Sequence, residues 1–307
     1  MPSIQEHPAR TRGALIALVG TNASGKSGLA VELARRFNGE VVSADSRQVF
    51  RGLDLGSGKI TPEEMRGVPH HMLDICDAGA FFSMADFQRM AYAAIDDILA
   101  RGMQPFLTGG TGLYVDSVAD GYVLSDIKPD LTYRAYLETF TTPELYQLLC
   151  DLRPGSLIDE HNRNRVMRRL EKIHAGDPGH SERNPRYRVL KLGVTWPREV
   201  LCQRIDERLE RRMADGMLAE VQGLLDRGIS PVFLRKLGLE YRYLSAYLLG
   251  EIPSEPQMLE ELARAIKRFA KRQMTWFRRD KTILWLNMQA DPAAEASRAI
   301  TAFLEEQ

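Results

Sequence analysis

The sequence predicts an α/β fold, a parallel sheet flanked by helices and interrupted by a small all-helical insertion. Three observations predict it. Leu15-Ile16-Ala17-Leu18-Val19 feeds straight into Gly20-Thr21-Asn22-Ala23-Ser24-Gly25-Lys26-Ser27, a G-x-x-x-x-G-K-S loop. Leu29, Ala30, Leu33, Ala34 and Phe37 follow at helical spacing. Strand, glycine loop and helix in that order open a P-loop NTPase-like sheet. Further short apolar runs at 40–44, 105–108 and 187–194 alternate with helical patterns, as parallel strands joined by crossovers require. Finally, the texture changes from about Gly121, where Pro129, Pro143 and Pro154 punctuate short helical pieces. The expected organisation is a flexible tail over 1–12, a core built from 13–121 and 187–307, and a helical insertion over 122–186.

Composition narrows the function classes. Hydrophobic residues make up 44% of the 307, enough for a substantial core, and the formal net charge is zero. Cys76, Cys150 and Cys202 are widely spaced, with no C-x-x-C, which points to a reduced protein without disulfides or a zinc site. The polar first dozen residues do not read as a signal peptide, and no apolar run is long enough to span a membrane. A cytoplasmic monomer is expected.

Each element adds to this frame in turn. In the glycine loop, successive N–H groups can point inward and Lys26 adds a point charge. The Ser27 hydroxyl can hold a magnesium ion. The helix that opens at about Gly25 lends its positive dipole end. Such a loop grips a diphosphate or triphosphate. The strand over 40–44 ends at Asp45-Ser46-Arg47-Gln48, where open α/β sheets place their ligand crevice. Asp45 is a candidate base there and equally a candidate helix N-cap. Asp54 to Lys59 forms a second glycine-rich loop. Met72 to Ile75 reads as a strand edge. The adjacent His70 and His71 would face opposite sides and so would not chelate together. Ser83 caps a helix whose apolar face carries Phe87, Met90, Ala91, Ala94, Ile95 and Ile98. The strand over 105–108 delivers Gly109-Gly110-Thr111-Gly112, which allows close backbone approach to a ligand around Thr111.

Charge is segregated despite the neutral total. Arg163, Arg165, Arg168, Arg169 and Lys172 crowd one segment of the insertion. Arg204, Arg208 and Arg211 form a stripe after the strand over 187–194, and a basic joint runs from Leu234 to Glu240. In a long helix over about 257–279, Leu262, Ile266, Phe269, Gln273, Trp276 and Phe277 fall on the packing side. Arg264, Lys267, Arg268, Lys271, Arg272, Arg278 and Arg279 fall on the other. A membrane surface or calmodulin suits such a helix, but two basic elements together suit a nucleic-acid backbone better. The residues alone leave two chemistries open: phosphoryl transfer or hydrolysis, and displacement of pyrophosphate by a nucleophile.

A set of motifs decides between them. After the phosphate loop come, in order, Asp45-Ser46-Arg47-Gln48-Val49, Gly56-Ser57-Gly58-Lys59, Pro69-His70-His71, Gly109 to Tyr114, Arg168-Arg169-Leu170-Glu171, and Ala270-Lys271-Arg272-Gln273-Met274-Thr275-Trp276-Phe277-Arg278. Across about 14–287 this resembles the tRNA dimethylallyltransferase (tRNA isopentenyltransferase) family. The resemblance implies transfer of a dimethylallyl group from dimethylallyl diphosphate to N6 of adenine 37 in tRNAs that read codons starting with U. It implies that Gly20, Thr21, Asn22, Ala23, Ser24, Gly25, Lys26 and Ser27 bind the diphosphate, aided by Arg208, with Mg2+ at Ser27. Asp45 would act as base, Lys26 would take up charge on the departing pyrophosphate, and Thr111 would orient the reacting centre. Asp45, Ser46, Arg47, Gln48 and Thr111, then Asn164, Arg165 and Arg168, then Arg235, Lys236, Lys271 and Arg272, would meet the anticodon stem-loop. The adenine would have to be flipped from its stack. A small-molecule kinase and an adenylate isopentenyltransferase acting on free nucleotide are the alternatives. Asn22, Phe50, Asn162 and Leu239 depart from the family's usual residues, and no zinc-finger tail follows.

Overall fold

The computed structural model describes residues 13–124, 130–156, 158–176 and 183–306. The expected tail and Pro129 lie outside them. The chain divides into two compact units, one running to Gly121 and resuming at Pro185, the other Tyr122–Asn184. Pro185 and Arg186 go with the first unit, where Arg186 pairs with Asp96 at 3.1 Å and lies over the Tyr92 ring.

The first unit is built on a six-stranded sheet, β1 (Ala14–Val19), β2 (Gly39–Ser43), β3 (His70–His71), β4 (Gln104–Gly109), β5 (Arg188–Thr195) and β6 (Leu284–Asn287). Its spatial order is β3-β2-β4-β1-β5-β6, and every pairing is parallel. Strands buried on both faces read as unbroken apolar runs, and Leu15 to Val19 is buried throughout. Helices α1 (Lys26–Arg36), α2 (Pro62–Met65), α3 (Met84–Ala100) and α4 (Gly112–Ala119) belong to the N-terminal half. Ser83 caps α3 through a capping box with Asp86, as its sequence position predicts. Two apolar layers cover the sheet. Leu15, Ala17, Val42 and Leu107 pack with Phe87, Ile95 and Val118 on one face, and Ile16, Leu18, Val41 and Phe106 with Leu29, Leu33 and Ile300 on the other. The alternation along β1 assigns odd residues to one layer and even residues to the other.

Among its described residues the second unit has three helices, α5 (Leu131–Glu138), α6 (Thr142–Leu152) and α7 (Arg163–His174). Leu137, Leu145, Leu149, Val166 and Leu170 close its own small core. Asn162 caps α7 by accepting from Arg165 N, the role an aspartate would fill at that departure from the family pattern.

After β5 the first unit continues through α8 (Arg198–Ala214), α9 (Met217–Asp226), α10 (Pro231–Leu237), α11 (Leu239–Leu248), α12 (Glu255–Phe277) and α13 (Pro292–Glu305). α8 to α12 share a third core that includes Leu209, Val221, Leu234, Tyr241 and Leu262.

The structure differs from the sequence reading in three places. Met72 to Ile75 is not strand, because Met72 (φ 66°) and Asp74 (φ 54°) adopt left-handed backbone that turns the chain off the sheet edge. The basic joint over 234–240 resolves into the end of α10, Gly238 and the start of α11. β6 and α13 went unpredicted, although Ile283-Leu284-Trp285-Leu286 is an apolar run and Asp291 before Pro292 is a helix-start signal.

Candidate active site

β2, β4 and β1 are neighbours, so the loops at their carboxyl ends open side by side. After β1 the phosphate loop closes on α1 with Gly25 as N-cap at φ 83°. Its backbone is held from behind. Trp196 Nε1 donates to Ser24 O at 2.9 Å, and Arg204 Nε donates to Ala23 O at 3.0 Å while its guanidinium lies over the Trp196 ring. Lys26 Nζ donates to Thr21 O at 3.2 Å. Ser24 Oγ is buried without a hydrogen-bond partner. After β2 comes Asp45, also buried. The residues following it form turns rather than a helix, so Asp45 is no N-cap. Its Oδ1 instead accepts from Arg47 N at 2.9 Å, and Arg47 Nε approaches at 3.4 Å. The far end of the Arg47 guanidinium donates to the buried Glu240 at 2.9 Å.

These loops and α8 enclose a cavity of about 510 Å³. Asn22 to Ser27, Asp45, Arg47, Gln48, Arg208, Arg212 and Glu240 line it, with Ala23, Leu55, Ile205, Leu209, Met217 and Ile266 as apolar wall. Loss of solvent, then the neighbouring Arg208, pushes the Lys26 ammonium down to about 8. Loss of solvent, then Arg212, pushes the Arg208 guanidinium down to about 9, and Arg212 is lowered as well. Burial works against ionisation of Asp45, but the Arg47 guanidinium and its backbone N–H, with Lys26, hold the carboxyl below the usual range. The site therefore holds an ionised carboxylate across from cations crowded without enough counter-charge, and an anion of two or more charges would relieve that crowding.

The far wall is the loop over 54–59. One carboxylate, Glu220, accepts from the backbone N–H groups of Asp54, Leu55 and Gly56 at 2.6–3.1 Å and from Tyr241 OH at 2.9 Å. Gly58 adopts φ 67°, a left-handed backbone that strains any side chain, and the Arg208 and Arg212 guanidiniums lie against it. Gln48 ties this wall to β2, donating to Gly58 O while accepting from Ser43 Oγ. Lys59, a cation the sequence left unassigned, is spent on Asp54, Asp74 and Phe50 O.

Comparison with known proteins fits this geometry. A family model described as IPP transferase matches residues 48–280. The chain belongs to the IPP transferase family. A tRNA dimethylallyltransferase 2 of Shewanella sediminis is 42% identical over 294 residues, covering 93% of this chain and 97% of the relative. One from Halalkalibacterium halodurans is 41% identical over 288 residues, covering 89% and 91%. The crystal structure of a tRNA isopentenylpyrophosphate transferase from Bacillus halodurans superposes with a TM-score of 0.74 at 39% identity, covering 95% of this chain and 97% of that one. A eukaryotic dimethylallyltransferase acting on tRNA shares the fold at 22% identity, with a TM-score of 0.75 over 94% of this chain and 78% of that one.

Within this IPP transferase fold, the residues singled out by sequence divide into groups. Asn22 to Ser27, Asp45, Arg47, Gln48 and Arg208 meet in the cavity. Gly20, Thr21, Ser46 and Thr111 are not among the residues that line it. Thr111 is the N-cap residue of α4, and its Oγ1 accepts from Ser46 N at 3.3 Å. Arg47 is enclosed and committed to Asp45 and Glu240, which limits what it can offer a second molecule. Arg235 pairs with Glu251, whereas Lys236, Lys271 and Arg272 are exposed. Asn164, Arg165 and Arg168 lie on α7 in the second unit, Arg168 beside Glu171 at 3.0 Å. The basic face of α12 is less bare than its sequence implies, since Lys267 pairs with Asp206 at 2.6 Å and Arg264 with Glu260. Sequence reasoning missed Arg212, Glu220, Glu240 and Gln273 as parts of the site. Arg212 follows Arg208 at i+4, a spacing that could have exposed it. Gln273 stands inside the motif over 270–278, which marked the segment but not this side chain's partners, and nothing local marks Glu220. Among the described residues, no helix is long and apolar enough to cross a membrane.

Proposed function

We propose that this enzyme transfers a dimethylallyl group from dimethylallyl diphosphate to N6 of adenine 37 in tRNAs reading codons that start with U. The observation that carries the proposal is the ionised Asp45 facing, across one cavity, a phosphate loop and a cluster of crowded cations. The family relationship supports the reading.

In the proposed reaction the adenine amine attacks the allylic carbon of the donor. The C–N bond forms as the carbon–oxygen bond to diphosphate breaks. Asp45 accepts the hydrogen bond, and then the proton, of the attacking amine. The phosphate-loop N–H groups, Lys26 and Arg208 receive the charge that builds on the leaving diphosphate, with Arg212 beside them. Arg47 holds the carboxylate aimed. Mg2+ belongs to the proposal. Its fit rests on the donor set, because Ser27 lies in the first turn of α1 at the cavity wall and offers a hard oxygen. Magnesium usually takes one or two protein oxygens and fills the rest of its octahedron with phosphate and water. When bound, it would add charge stabilisation at the diphosphate. Thr111 acts indirectly, by fixing Ser46 beside Asp45. The exposed Lys236, Lys271 and Arg272, with Asn164 and Arg165 of the helical unit, are the candidates for backbone contacts along the anticodon stem-loop. We further infer a cytoplasmic monomer.

The test is direct. Protein, magnesium and labelled dimethylallyl diphosphate are mixed with unmodified tRNA or with AMP. Label on tRNA, located at adenine 37 by nuclease mapping, is the expected result. Label on AMP alone would reassign the acceptor, and steady ATP turnover with no prenyl transfer would overturn the reading.

A further inference from the structure

Gln273 lies on the packing side of α12 and is buried, yet its amide does not serve the core. Its Oε1 accepts from the backbone N–H of Asn22 in the phosphate loop at 2.9 Å. Its Nε2 donates to Gly110 O in the loop after β4 at 2.8 Å. Only one orientation of the amide serves both partners, because Asn22 presents a donor and Gly110 an acceptor. Gly110 immediately precedes Thr111, whose Oγ1 accepts from Ser46 N, the neighbour of Asp45. A side chain at Gly110 would collide with the Gln273 amide, so the approach is close and specific.

These bonds make one chain: Asn22, Gln273, Gly110–Thr111, Ser46–Asp45. It starts at the loop proposed to grip the departing diphosphate and ends at the carboxylate proposed to steer the amine. We propose that Gln273 is a positioning residue that fixes the separation between the diphosphate loop and Asp45, touching neither reactant. The proposal rests on the reading of the site given above. The physical reason for such a link is geometric. β1 and β2 are not hydrogen-bonded neighbours, since β4 lies between them, so no direct ladder bond sets the distance between their terminal loops. A misplacement of about 1 Å between reacting partners can cost about 100-fold in rate.

Gln273→Leu keeps the volume and removes both bonds. The expected result is that inorganic pyrophosphate binds within about threefold of the parent, while kcat for prenyl transfer falls about 10- to 100-fold. Gln273→Glu, which keeps the acceptor for Asn22 but sets an oxygen against Gly110 O, should show the same split. An unchanged kcat in Gln273→Leu would overturn the proposal. So would an equal loss of pyrophosphate binding and kcat, which would mean that the side chain merely props the phosphate loop. Hydrogen exchange reads the same link without turnover. Amides over 20–24 and over 44–48 should exchange faster together in Gln273→Leu, and loosening of the first segment alone would overturn the coupling. If the parent chain transfers no prenyl group, the function reading fails, while the exchange result still decides whether Gln273 joins the two loops.

Discussion

Arg208 and Arg212 project from α8 into the cavity, while Lys271 and Arg272 stand on the exposed face of α12. All four carry the same charge, and their surroundings give it opposite meanings. The α8 pair is buried, and loss of solvent first, then mutual crowding with Arg47, disfavours its protonated forms despite the nearby Asp45, Glu220 and Glu240. Such a cluster stores repulsion in the empty state and releases it when a compact polyanion arrives. The α12 pair is in water, where a single charge is cheap and screened within about 10 Å at ordinary salt. It can act only by displacing counter-ions along an extended polyanion. Enclosure, rather than charge count, separates the proposed diphosphate clamp from the proposed tRNA rail.

Several experiments would break or sharpen this contrast. The largest effect is expected at the anionic side of the cavity. Asp45→Ala should lower kcat by about 100- to 10,000-fold, the range for losing a general base, while pyrophosphate binding persists in titration calorimetry. Full activity in that variant would remove Asp45 from the chemistry. Next, Lys26→Ala or Arg208→Ala should weaken pyrophosphate binding by about 10- to 150-fold, as expected for a lost charge-assisted hydrogen bond. Arg208→Ala should leave the thermal midpoint of the ligand-free protein unchanged or raised, since it relieves the crowding, and should shrink the upshift that pyrophosphate confers. A lowered midpoint would contradict the picture of stored repulsion.

The pH dependence follows from Lys26. Its folded-state value of about 8 lies below the ordinary lysine value of 10.5, so between the two the folded chain binds fewer protons than the unfolded one. This group's contribution to stability therefore rises with pH across that window. A bound diphosphate favours the ammonium again. Binding at about pH 8.5 should take up protons, and calorimetry in buffers of different ionisation enthalpy should show the uptake shrinking in Lys26→Met. The smallest effect is expected outside. Lys271→Ala with Arg272→Ala should weaken tRNA binding uniformly and reduce the slope of log affinity against log salt by about 2, roughly one for each phosphate contact. Pyrophosphate binding should not change, and an unaltered salt slope would return this face of α12 to plain solvation.

The contrast also explains what could be read from the chain in advance. The phosphate loop is local. Its glycines, lysine and serine are consecutive, and the apolar run before them allows little but a buried strand. Asp45 was legible because it ends an apolar run, and strand ends in such sheets face the crevice. Gln273 was legible as a packing residue inside a family motif, but helical periodicity gives the direction of a side chain and not the hydrogen-bond partners waiting there. Arg47 read as a tRNA contact within the motif that follows β2, and its ion pair with Glu240 spans 193 positions of chain. Glu220 gave no signal, since the amides it gathers lie more than 160 positions away. Met72 and Asp74 misled in the other direction, because nothing in an apolar stretch announces left-handed backbone.

By itself, then, the sequence determined four of the six strands, the phosphate loop, the acid that follows β2 and the helical character of the insertion, because each is written in contiguous residues with a period or a motif. Only the tertiary structure decided which cations are enclosed, which are already paired, and which buried amide bonds to both the phosphate loop and the loop after β4. Those properties depend on desolvation and on partners brought together from distant parts of the chain, and neither is encoded in any local stretch.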